Sequence, residues 1–379
     1  MKKKIWVISG GRAEYFLLES LIHKLKKFDT TLVLTGSHFF KKYGYTFSQI
    51  KKTIPIKKIK INLKSDSRGE ILLFMSKLIQ QFTKKMSTNK PDLIMILGDR
   101  YEIFSVAVCA MILKIPIAHI HGGEITEGAF DDSIRHAITK LSHLHFVTTE
   151  KYKNRVIQMG ENRKNVHNVG SLGVENTQRI KLLKKKEIEK KLNFTLNKKN
   201  LLITFHPVTL TKNIESIDPL LKSLSKLRDT NLLFTSPNID PGNNIILKKI
   251  KSFVSRKKNS KLFPSLGQKL YFSCIKVFDG VVGNSSSGII EVPSFQKGSI
   301  NIGNRQKGRI AAKNVINCKN NETSIDFSIK KLLSKKFKED IKKNKNPYFQ
   351  KNTSTNIVNI LKKLSFKDLP YKNFFDLNS

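Results

Sequence analysis

The stretch IPIAHIHGGE, residues 115–124, decides the fold of this chain. It follows an uncharged run, residues 104–113, and passes abruptly from apolar and β-branched residues to glycine and ionisable groups. That change is typical of a buried strand in a parallel sheet, and open sheets of this kind bind ligands at the carboxyl ends of their strands. His119, His121 and Glu124 are therefore candidates for proton transfer, although polar residues also end strands and begin helices without any chemistry.

Short apolar strands and helices of 10–15 residues alternate on both sides of this stretch, which indicates βαβ units and a parallel sheet. In the first half we predict strands at 5–9, 31–35, 91–97, 115–120 and 145–149, and helices at 14–27, 101–113 and 133–144. In the second half we predict a helix around 180–192, strands at 200–204, 231–235, 277–282 and 298–302, and a last helix at 356–364.

The pattern therefore predicts an α/β protein of two Rossmann-like domains. We expect an N-terminal domain at 1–172 that carries acidic residues and a second α/β domain at 173–355. A final segment at 356–379 is expected to return to the first domain. Two such domains leave a central cleft, where ligands preferentially bind.

Length and composition fit this organisation. A chain of 379 residues is too long for one ordinary core, and 39% of its residues are hydrophobic. No apolar run approaches the ~20 residues of a membrane span, and the lysines at 2–4 lead straight into a strand rather than a signal sequence. Because Cys109, Cys274 and Cys318 are isolated, we expect a reducing compartment. Together with the apolar content, this predicts a cytoplasmic location and no membrane partner.

The formal net charge of +41 raises the alternative of a nucleic-acid-binding protein. The excess is mostly lysine, in short runs that have few aromatic residues among them, and no run matches a known nucleic-acid module. We therefore expect no nucleic-acid partner, although the charge should attract anionic ligands.

Two corners between strand and helix are suited to phosphate. The sequence GNSSSG, residues 283–288, follows a predicted strand, so its small residues and hydroxyl groups would meet an anion near a helix start. Arg12, after two glycines, is a second candidate, because a guanidinium binds phosphate with two hydrogen bonds. The chain has neither the dinucleotide fingerprint nor a P-loop, which disfavours a nicotinamide dehydrogenase or a P-loop ATPase.

A metal site was a further possibility. His119 and His121 would share one face of a strand, and His143 and His145 repeat the spacing. A catalytic zinc also needs a third ligand, for which Asp99 or Glu124 would be available, but no His-Glu-x-x-His signature is present. We therefore expect no catalytic metal.

Several motifs together carry a resemblance to a known family. They lie at residues 11–15, 98–102, 119–136, 206–207, 284–291 and 305–309. In this order they resemble the hydrolysing UDP-N-acetylglucosamine 2-epimerases of the bacterial sialic-acid-pathway type. The similarity covers about residues 4–365, and the ordered set is specific although each motif alone is weak.

The resemblance implies a glycosyltransferase-B type of fold in which the second domain holds most of the nucleotide. Members of the family eliminate UDP across C1 and C2 of the sugar to give 2-acetamidoglucal, and water then adds to release N-acetylmannosamine. No cofactor is implied. The expected partner is a nucleotide sugar, and the family commonly forms homo-oligomers.

The resemblance also implies roles for individual residues. The family's essential acids match Asp99, Glu124 and Asp131, with Asp132 as an alternative to its neighbour, and His206 matches a histidine that stabilises the departing phosphate. Positions associated with UDP match Arg12, Arg100, Asn238, Ser285, Ser286, Glu291 and Arg305. Removing a proton from C2 needs a base and hydration needs an acid, so several carboxylates are a chemical requirement.

Some alternatives stay open at this point. The sequence does not say which carboxylate is the base and which the acid. The same chemistry on a UDP- or GDP-linked diacetylbacillosamine is an alternative to N-acetylglucosamine, and a glycosyltransferase of the same fold is another. The dense set of carboxylates in the first half argues against the glycosyltransferase.

Overall fold

The computed structural model describes residues 2–40, 47, 50–65, 67–208, 216–237 and 242–377. The chain divides into two compact units. Unit 1 comprises Met1–Glu124, Asp131–Asn176 and Tyr348–Ser379, and unit 2 comprises Ile125–Phe130 and Thr177–Pro347.

Unit 1 is built on a seven-stranded sheet in which every pair of neighbouring strands is parallel. Its strands are β1 Lys4–Ser9, β2 Asp29–Leu34, β3 Ile56–Lys58, β4 Leu93–Leu97, β5 Ile117–Ile120, β6 Leu144–Val147 and β7 Val166–Asn168. The helices are α1 Arg12–Lys24, α2 Arg68–Thr88, α3 Tyr101–Ile112, α4 Asp131–Leu141, α5 Glu150–Gln158 and α6 Leu172–Arg179, the last of which continues into unit 2.

Both faces of this sheet are covered, because alternate residues of a strand point to opposite faces. In β1, Ile5 and Val7 belong to one apolar core, while Trp6 and Ile8 belong to another. All five residues of β4 are buried, as its uninterrupted apolar sequence predicts for a central parallel strand.

Unit 2 repeats the design with six parallel strands. Its strands are β8 Lys199–Thr204, β9 Thr230–Thr235, β10 Ser260–Phe263, β11 Gly280–Gly283, β12 Gly298–Ile302 and β13 Val315–Cys318. The helices are α7 Lys185–Leu192, α8 Asp218–Ser225, α9 Asn243–Arg256, α10 Gly267–Val277, α11 Ser287–Ile290, α12 Glu322–Leu333 and α13 Lys335–Asp340.

The last helix, α14 Thr353–Lys363, belongs to unit 1. It buries Ile357, Val358 and Leu361 in the core that contains Leu18 and Leu21 of α1. The predicted fold class, two Rossmann-like α/β domains with a final helix on the first, is confirmed. Within the described ranges, no helix is both long and apolar enough to span a membrane.

Strand order locates the expected ligand edges. The sheet of unit 1 runs β3-β2-β1-β4-β5-β6-β7, and that of unit 2 runs β10-β9-β8-β11-β12-β13. In each sheet the order reverses beside the unit's first strand, so the switch points lie between β1 and β4 and between β8 and β11. Open α/β sheets bind ligands at the carboxyl ends of the strands at such points.

One predicted strand was wrong in its bounds. The pattern predicted a strand at 277–282, but Val277 ends α10 and the strand is Gly280–Gly283. The predicted helix at 133–144 is likewise shifted, because Leu144 begins β6. Where an apolar helix end runs into an apolar strand, periodicity does not mark the border.

Candidate active site

The first corner of unit 1 joins β1 to α1 and is held by side chains. Glu14 Oε2 accepts a hydrogen bond of 2.6 Å from Gly10 N, and the Gly10 carbonyl accepts one of 2.8 Å from Ser37 N. Burial and the neighbouring Glu102 carboxylate raise the pKa of Glu14 to about 8. Arg12, the first residue of α1, is half-buried, and this burial lowers its pKa. The Arg12 guanidinium therefore follows a turn that is held by hydrogen bonds with Glu14 and Ser37.

The second corner of unit 1 follows β4 and carries Asp99 and Arg100. His119 braces it, since its Nε2 lies 2.7 Å from the Gly98 carbonyl oxygen. A carbonyl only accepts, so Nε2 bears the proton, and Nδ1 lies 3.2 Å from Thr139 Oγ1. Burial lowers the pKa of His119 to about 3, so the ring is neutral. Both ring nitrogens therefore have protein partners.

His121 does not share a strand face with His119, contrary to the prediction. Strand β5 ends at Ile120, and His121 has a positive φ of 70°. Such a conformation is uncommon for a residue other than glycine and is concentrated at functional sites. His121 Nδ1 lies 3.5 Å from Glu124 Oε1, so the turn after β5 aims the imidazole at a carboxylate.

Arg135 gathers the predicted acids of unit 1. Its side chain is buried, and its guanidinium forms an ion pair with Asp99. Nη1 donates to Asp132 Oδ1 at 3.1 Å and to the Glu124 main-chain carbonyl at 2.9 Å. One arginine thus holds two carboxylates and the main chain that carries a third.

The Glu124 carboxylate is buried, with 1% of the residue exposed. Its Oε1 accepts a hydrogen bond of 3.2 Å from Thr148 Oγ1. Asp131 is the half-buried first residue of α4, and the neighbouring Asp132 also lies 3.5 Å from His136 Nε2. The arrangement places several carboxylates with different partners at one sheet edge, as acid–base chemistry on a single substrate requires. In the described part of the chain, no group of three or more His, Cys, Asp or Glu is arranged to hold a metal ion.

Arg100 lies beside these acids in sequence but has a different partner. Its Nε donates to Glu102 Oε2 at 3.3 Å, and its guanidinium lies 5.0 Å from the centre of the Tyr101 ring. About a quarter of the side chain, 23%, is exposed. Arg100 is thus oriented and still accessible to a ligand.

The corner of unit 2 joins the ends of β8 and β11 around Asn284. The Asn284 side chain accepts from His206 N at 2.6 Å and donates to His206 O at 2.8 Å. Gly283, with φ of 143°, leaves no room for a side chain, because a Cβ there would lie 1.8 Å from the Thr204 carbonyl oxygen. The two strand ends are therefore held in close contact.

His206 is buried, and burial together with the nearby Arg305 lowers its pKa well below the ordinary value. The imidazole of the free protein is therefore neutral, whereas a cation would offset the charge of a departing phosphate more strongly. A bound diphosphate would bring the negative charge that favours the protonated ring.

The remaining predicted nucleotide contacts, apart from Asn238, lie around the same corner. Ser285 and Ser286 are half-buried between β11 and α11, and Glu291 directly follows α11. Arg305 Nη1 donates to the Asn284 carbonyl at 3.2 Å. Hydroxyl groups, a guanidinium and an imidazole are thus brought together in unit 2. Asn238, also predicted to contact UDP, lies outside the described residues.

A family model matches most of the chain. The model described as UDP-N-acetylglucosamine 2-epimerase matches residues 21–362. The chain belongs to the UDP-N-acetylglucosamine 2-epimerase family. The family predicted from the motifs is therefore confirmed.

Two relatives are 41% identical to this family member over alignments of 384 positions. One is the GDP/UDP-N,N'-diacetylbacillosamine 2-epimerase (hydrolyzing) of Campylobacter jejuni, with 99% of this chain and 100% of the relative covered. The other is the polysialic acid biosynthesis protein P7 of Escherichia coli, with 99% and 98% covered. The crystal structure of the Neisseria meningitidis UDP-GlcNAc 2-epimerase bound to UDP-GlcNAc has a similar fold, with a TM-score of 0.80, 20% identity, and 95% and 100% covered.

Two residues that organise the contacts of this 2-epimerase family member, Arg135 and Asn284, have no role predicted from the sequence. Arg135 lies three residues after Asp132, which places both side chains on one side of a helix. This spacing indicates their ion pair from the sequence. Asn284 was noted only as part of the serine-rich corner, and no spacing pointed to its contacts with His206, 78 residues earlier.

Proposed function

We propose that the protein converts UDP-N-acetylglucosamine and water into N-acetylmannosamine and UDP. The observation that carries the proposal is the group of acids around Arg135, because epimerisation at a carbon next to the anomeric centre needs both a base and an acid. Membership of the 2-epimerase family supports the same reaction.

The first step is an elimination. A carboxylate removes the proton from C2, the electrons of that bond form the C1–C2 double bond, and the C1–oxygen bond breaks with its electrons leaving on UDP. We assign the base to the set Asp99, Glu124, Asp131 and Asp132. Arg135 holds Asp99 and Asp132 as ion pairs, and an ionised carboxylate is the form that accepts a proton.

The second step is hydration of the 2-acetamidoglucal. A carboxylic acid delivers a proton to C2 on the face opposite to the one that lost it, and water adds its oxygen to C1 and returns a proton to the protein. The sum is one nucleotide sugar and one water consumed, with one N-acetylmannosamine and one UDP formed. Two carboxyl groups with different environments meet this need, since the elimination uses a base and the hydration uses an acid.

We assign nucleotide binding to residues around both corners. The set is Arg12, Arg100, Asn238, Ser285, Ser286, Glu291 and Arg305. His206 is assigned to the leaving phosphate, where a donor or cation offsets the charge that develops as the C1–oxygen bond breaks. Because the free imidazole is neutral, binding of the diphosphate is expected to be accompanied by proton uptake at His206.

A second substrate is favoured by one specific observation. The Campylobacter jejuni relative, named for GDP/UDP-N,N'-diacetylbacillosamine, is as similar to this chain as the Escherichia coli polysialic acid protein. The same elimination and hydration on that sugar would give the corresponding diacetamido mannose-type product. The two substrates differ at C4 and C6, which the chemistry at C1 and C2 leaves untouched.

Turnover in D2O tests both proposals. Purified protein is incubated separately with UDP-N-acetylglucosamine and with UDP- and GDP-diacetylbacillosamine, without any acceptor and in the presence of a chelator. From one of these substrates we expect its free nucleoside diphosphate, UDP or GDP, and a mannosamine-type sugar with deuterium at C2. A half-buried carboxylate in unit 2, Asp326, which pairs with Lys226, provides the matched control variant Asp326→Asn, which should retain full turnover.

Three results would contradict the proposal. Release of unlabelled N-acetylglucosamine would indicate simple hydrolysis, and an intact epimerised UDP-sugar would indicate the non-hydrolysing reaction. Absence of turnover until an acceptor is added would indicate a glycosyltransferase.

A further inference from the structure

Asn284 interacts with His206 in a way that a side chain seldom does. The Asn284 carboxamide satisfies both main-chain groups of one residue, accepting from His206 N and donating to His206 O. The distances are 2.6 and 2.8 Å, and Asn284 is fully buried. Only an amide side chain offers a donor and an acceptor in the arrangement of a peptide group.

The position of Asn284 in the sheet explains this contact. Strands β8 and β11 pair in parallel as far as Thr204 and Gly283. Asn284 N still donates to the Thr204 carbonyl at 3.2 Å, directly after the positive φ of 143° at Gly283. The Asn284 side-chain amide then extends the contact between the two strand ends to the main chain of His206.

The main chain of Asn284 has a second connection. Its carbonyl oxygen accepts hydrogen bonds of 3.2 Å from Arg305 Nη1 and from Gln306 Nε2. These bonds use main-chain oxygen, so they remain available when the side chain is changed. A substitution of Asn284 therefore removes the two side-chain hydrogen bonds to His206 but leaves the hydrogen bond from Arg305 to the main chain at position 284.

We propose that Asn284 is a positioning residue whose carboxamide sets the location of the His206 imidazole for the departing phosphate. The inference rests on the proposed function, because His206 has its catalytic role only in that reaction. Loss of the two hydrogen bonds frees the chain after β8, and a shift of about 1 Å at a catalytic group costs about 10²-fold in rate.

The first test compares Asn284→Ala, Asn284→Asp and a control. Asn284→Ala is expected to lower kcat about 10²-fold while KM changes less than about threefold, because the groups that bind the nucleotide stay in place. Asn284→Asp keeps an acceptor for His206 N, so its loss should be smaller, and it decides the question if the alanine variant does not fold. The control is Asn231→Ala, which removes another buried amide of the same sheet. Asn231 lies near the amino end of β9, whereas Asn284 follows the carboxyl end of β11, so this variant should retain turnover.

The second test asks whether Asn284 acts through His206. In a His206→Ala background, Asn284→Ala should lower turnover by less than about twofold, because the group that it positions is already gone. An undiminished loss in that background would show a general structural role and overturn the proposal. Wild-type turnover of both Asn284 variants would overturn it as well.

A measurement without turnover separates this proposal from the proposed function. Labelling histidine with 15N gives one main-chain amide signal for each of the nine histidines, and the His206 signal is assigned from its loss in His206→Ala. In Asn284→Ala this signal should move upfield, even if no nucleotide sugar is turned over, while UDP should bind about as tightly as to the wild-type protein. An unchanged His206 signal would refute the positioning role, whereas an inactive wild-type protein would refute only the proposed reaction.

Discussion

Removing the Arg135 side chain should both destabilise unit 1 and stop catalysis. The change is Arg135→Met, which keeps a similar length and removes the charge. Two carboxylates, Asp99 and Asp132, then lose the cation that lies between them, and the Glu124 carbonyl loses a donor.

The magnitude follows from burial. Breaking a buried ion pair by removing one partner costs about 3–5 kcal/mol. The side chain of Arg135 is 2% exposed, but those of Asp99 and Asp132 are 24% and 23% exposed, so water compensates part of their loss. We therefore expect a decrease of about 3 kcal/mol in the free energy of unfolding of unit 1. Turnover should fall at least ~10²-fold, because the acids lose their fixed geometry.

The assay uses the single tryptophan of the sequence. Trp6 is fully buried in β1, so its fluorescence reports the unfolding of unit 1 in urea. Arg155→Met is the matched control, because Arg155 donates to the Gly123 carbonyl at 2.5 Å, and its loss should cost about 1 kcal/mol. Arg135→Lys should keep more stability than Arg135→Met, but a point charge cannot reproduce the forked contacts, so turnover should remain low.

A double-mutant cycle with Asp99→Asn sharpens the test. If Arg135 and Asp99 act as a pair, the loss of stability in the double variant should be clearly smaller than the sum of the two single losses. Additive losses, or an Arg135→Met protein within about 1 kcal/mol of wild type and fully active, would refute the reasoning.

Three further predictions concern single positions. Gly283→Ala should destabilise unit 2 by at least ~3 kcal/mol, measured by circular dichroism in urea, because the new Cβ would lie 1.8 Å from the Thr204 carbonyl oxygen; Gly69→Ala, with open space around it, should change stability by less than about 1 kcal/mol. His206→Ala should lower kcat at least ~10²-fold, and wild-type kcat would remove His206 from the mechanism. The pKa of His119 is about 3 in the folded protein against 6.5 in the unfolded chain, so its contribution to stability is complete above pH 6.5 and decreases as the pH falls. Between pH 6.5 and about 5, the free energy of unfolding measured by Trp6 fluorescence should fall by about 2 kcal/mol more in the wild-type protein than in His119→Gln. Equal slopes of stability against pH in the two proteins would contradict the assignment.

Much of the fold could be predicted from sequence because its strands are buried on both faces. The run at 93–97 is apolar without interruption, which is the pattern of central parallel strands. The strand at 117–120 is likewise buried throughout, with His119 as its only polar residue. The edge strand β3 was not predicted, since Ile56–Lys58 has only three residues and carries two lysines. Short, charged edge strands lack the periodicity on which such predictions depend.

The positions of the candidate residues at strand ends could be predicted from the sequence, but the contacts between these residues could not. Strand ends supplied Asp99, Glu124, His206 and the serine corner, because ligand sites of these sheets follow the carboxyl ends of strands. The partners of these residues come from other elements: Arg135 reaches Asp99 from α4, and Asn284 reaches His206 from the end of β11. Hydrogen bonds between residues 36 and 78 positions apart leave no spacing in the sequence.

The two histidines of the opening stretch show where sequence reasoning reaches its limit. Strand periodicity placed His119 and His121 on one face, but the strand ends between them at Ile120. His119 remains in the sheet as a neutral brace for the Gly98–Asp99 turn, whereas His121 turns into a left-handed conformation beside Glu124. A strained residue at a sheet edge is retained where its side chain is needed, and a purely structural position would be better served by glycine. Of the two imidazoles, His121 is therefore the one to substitute together with the acids. Its contact with Glu124 makes Glu124 the carboxyl group that a substitution of His121 would affect.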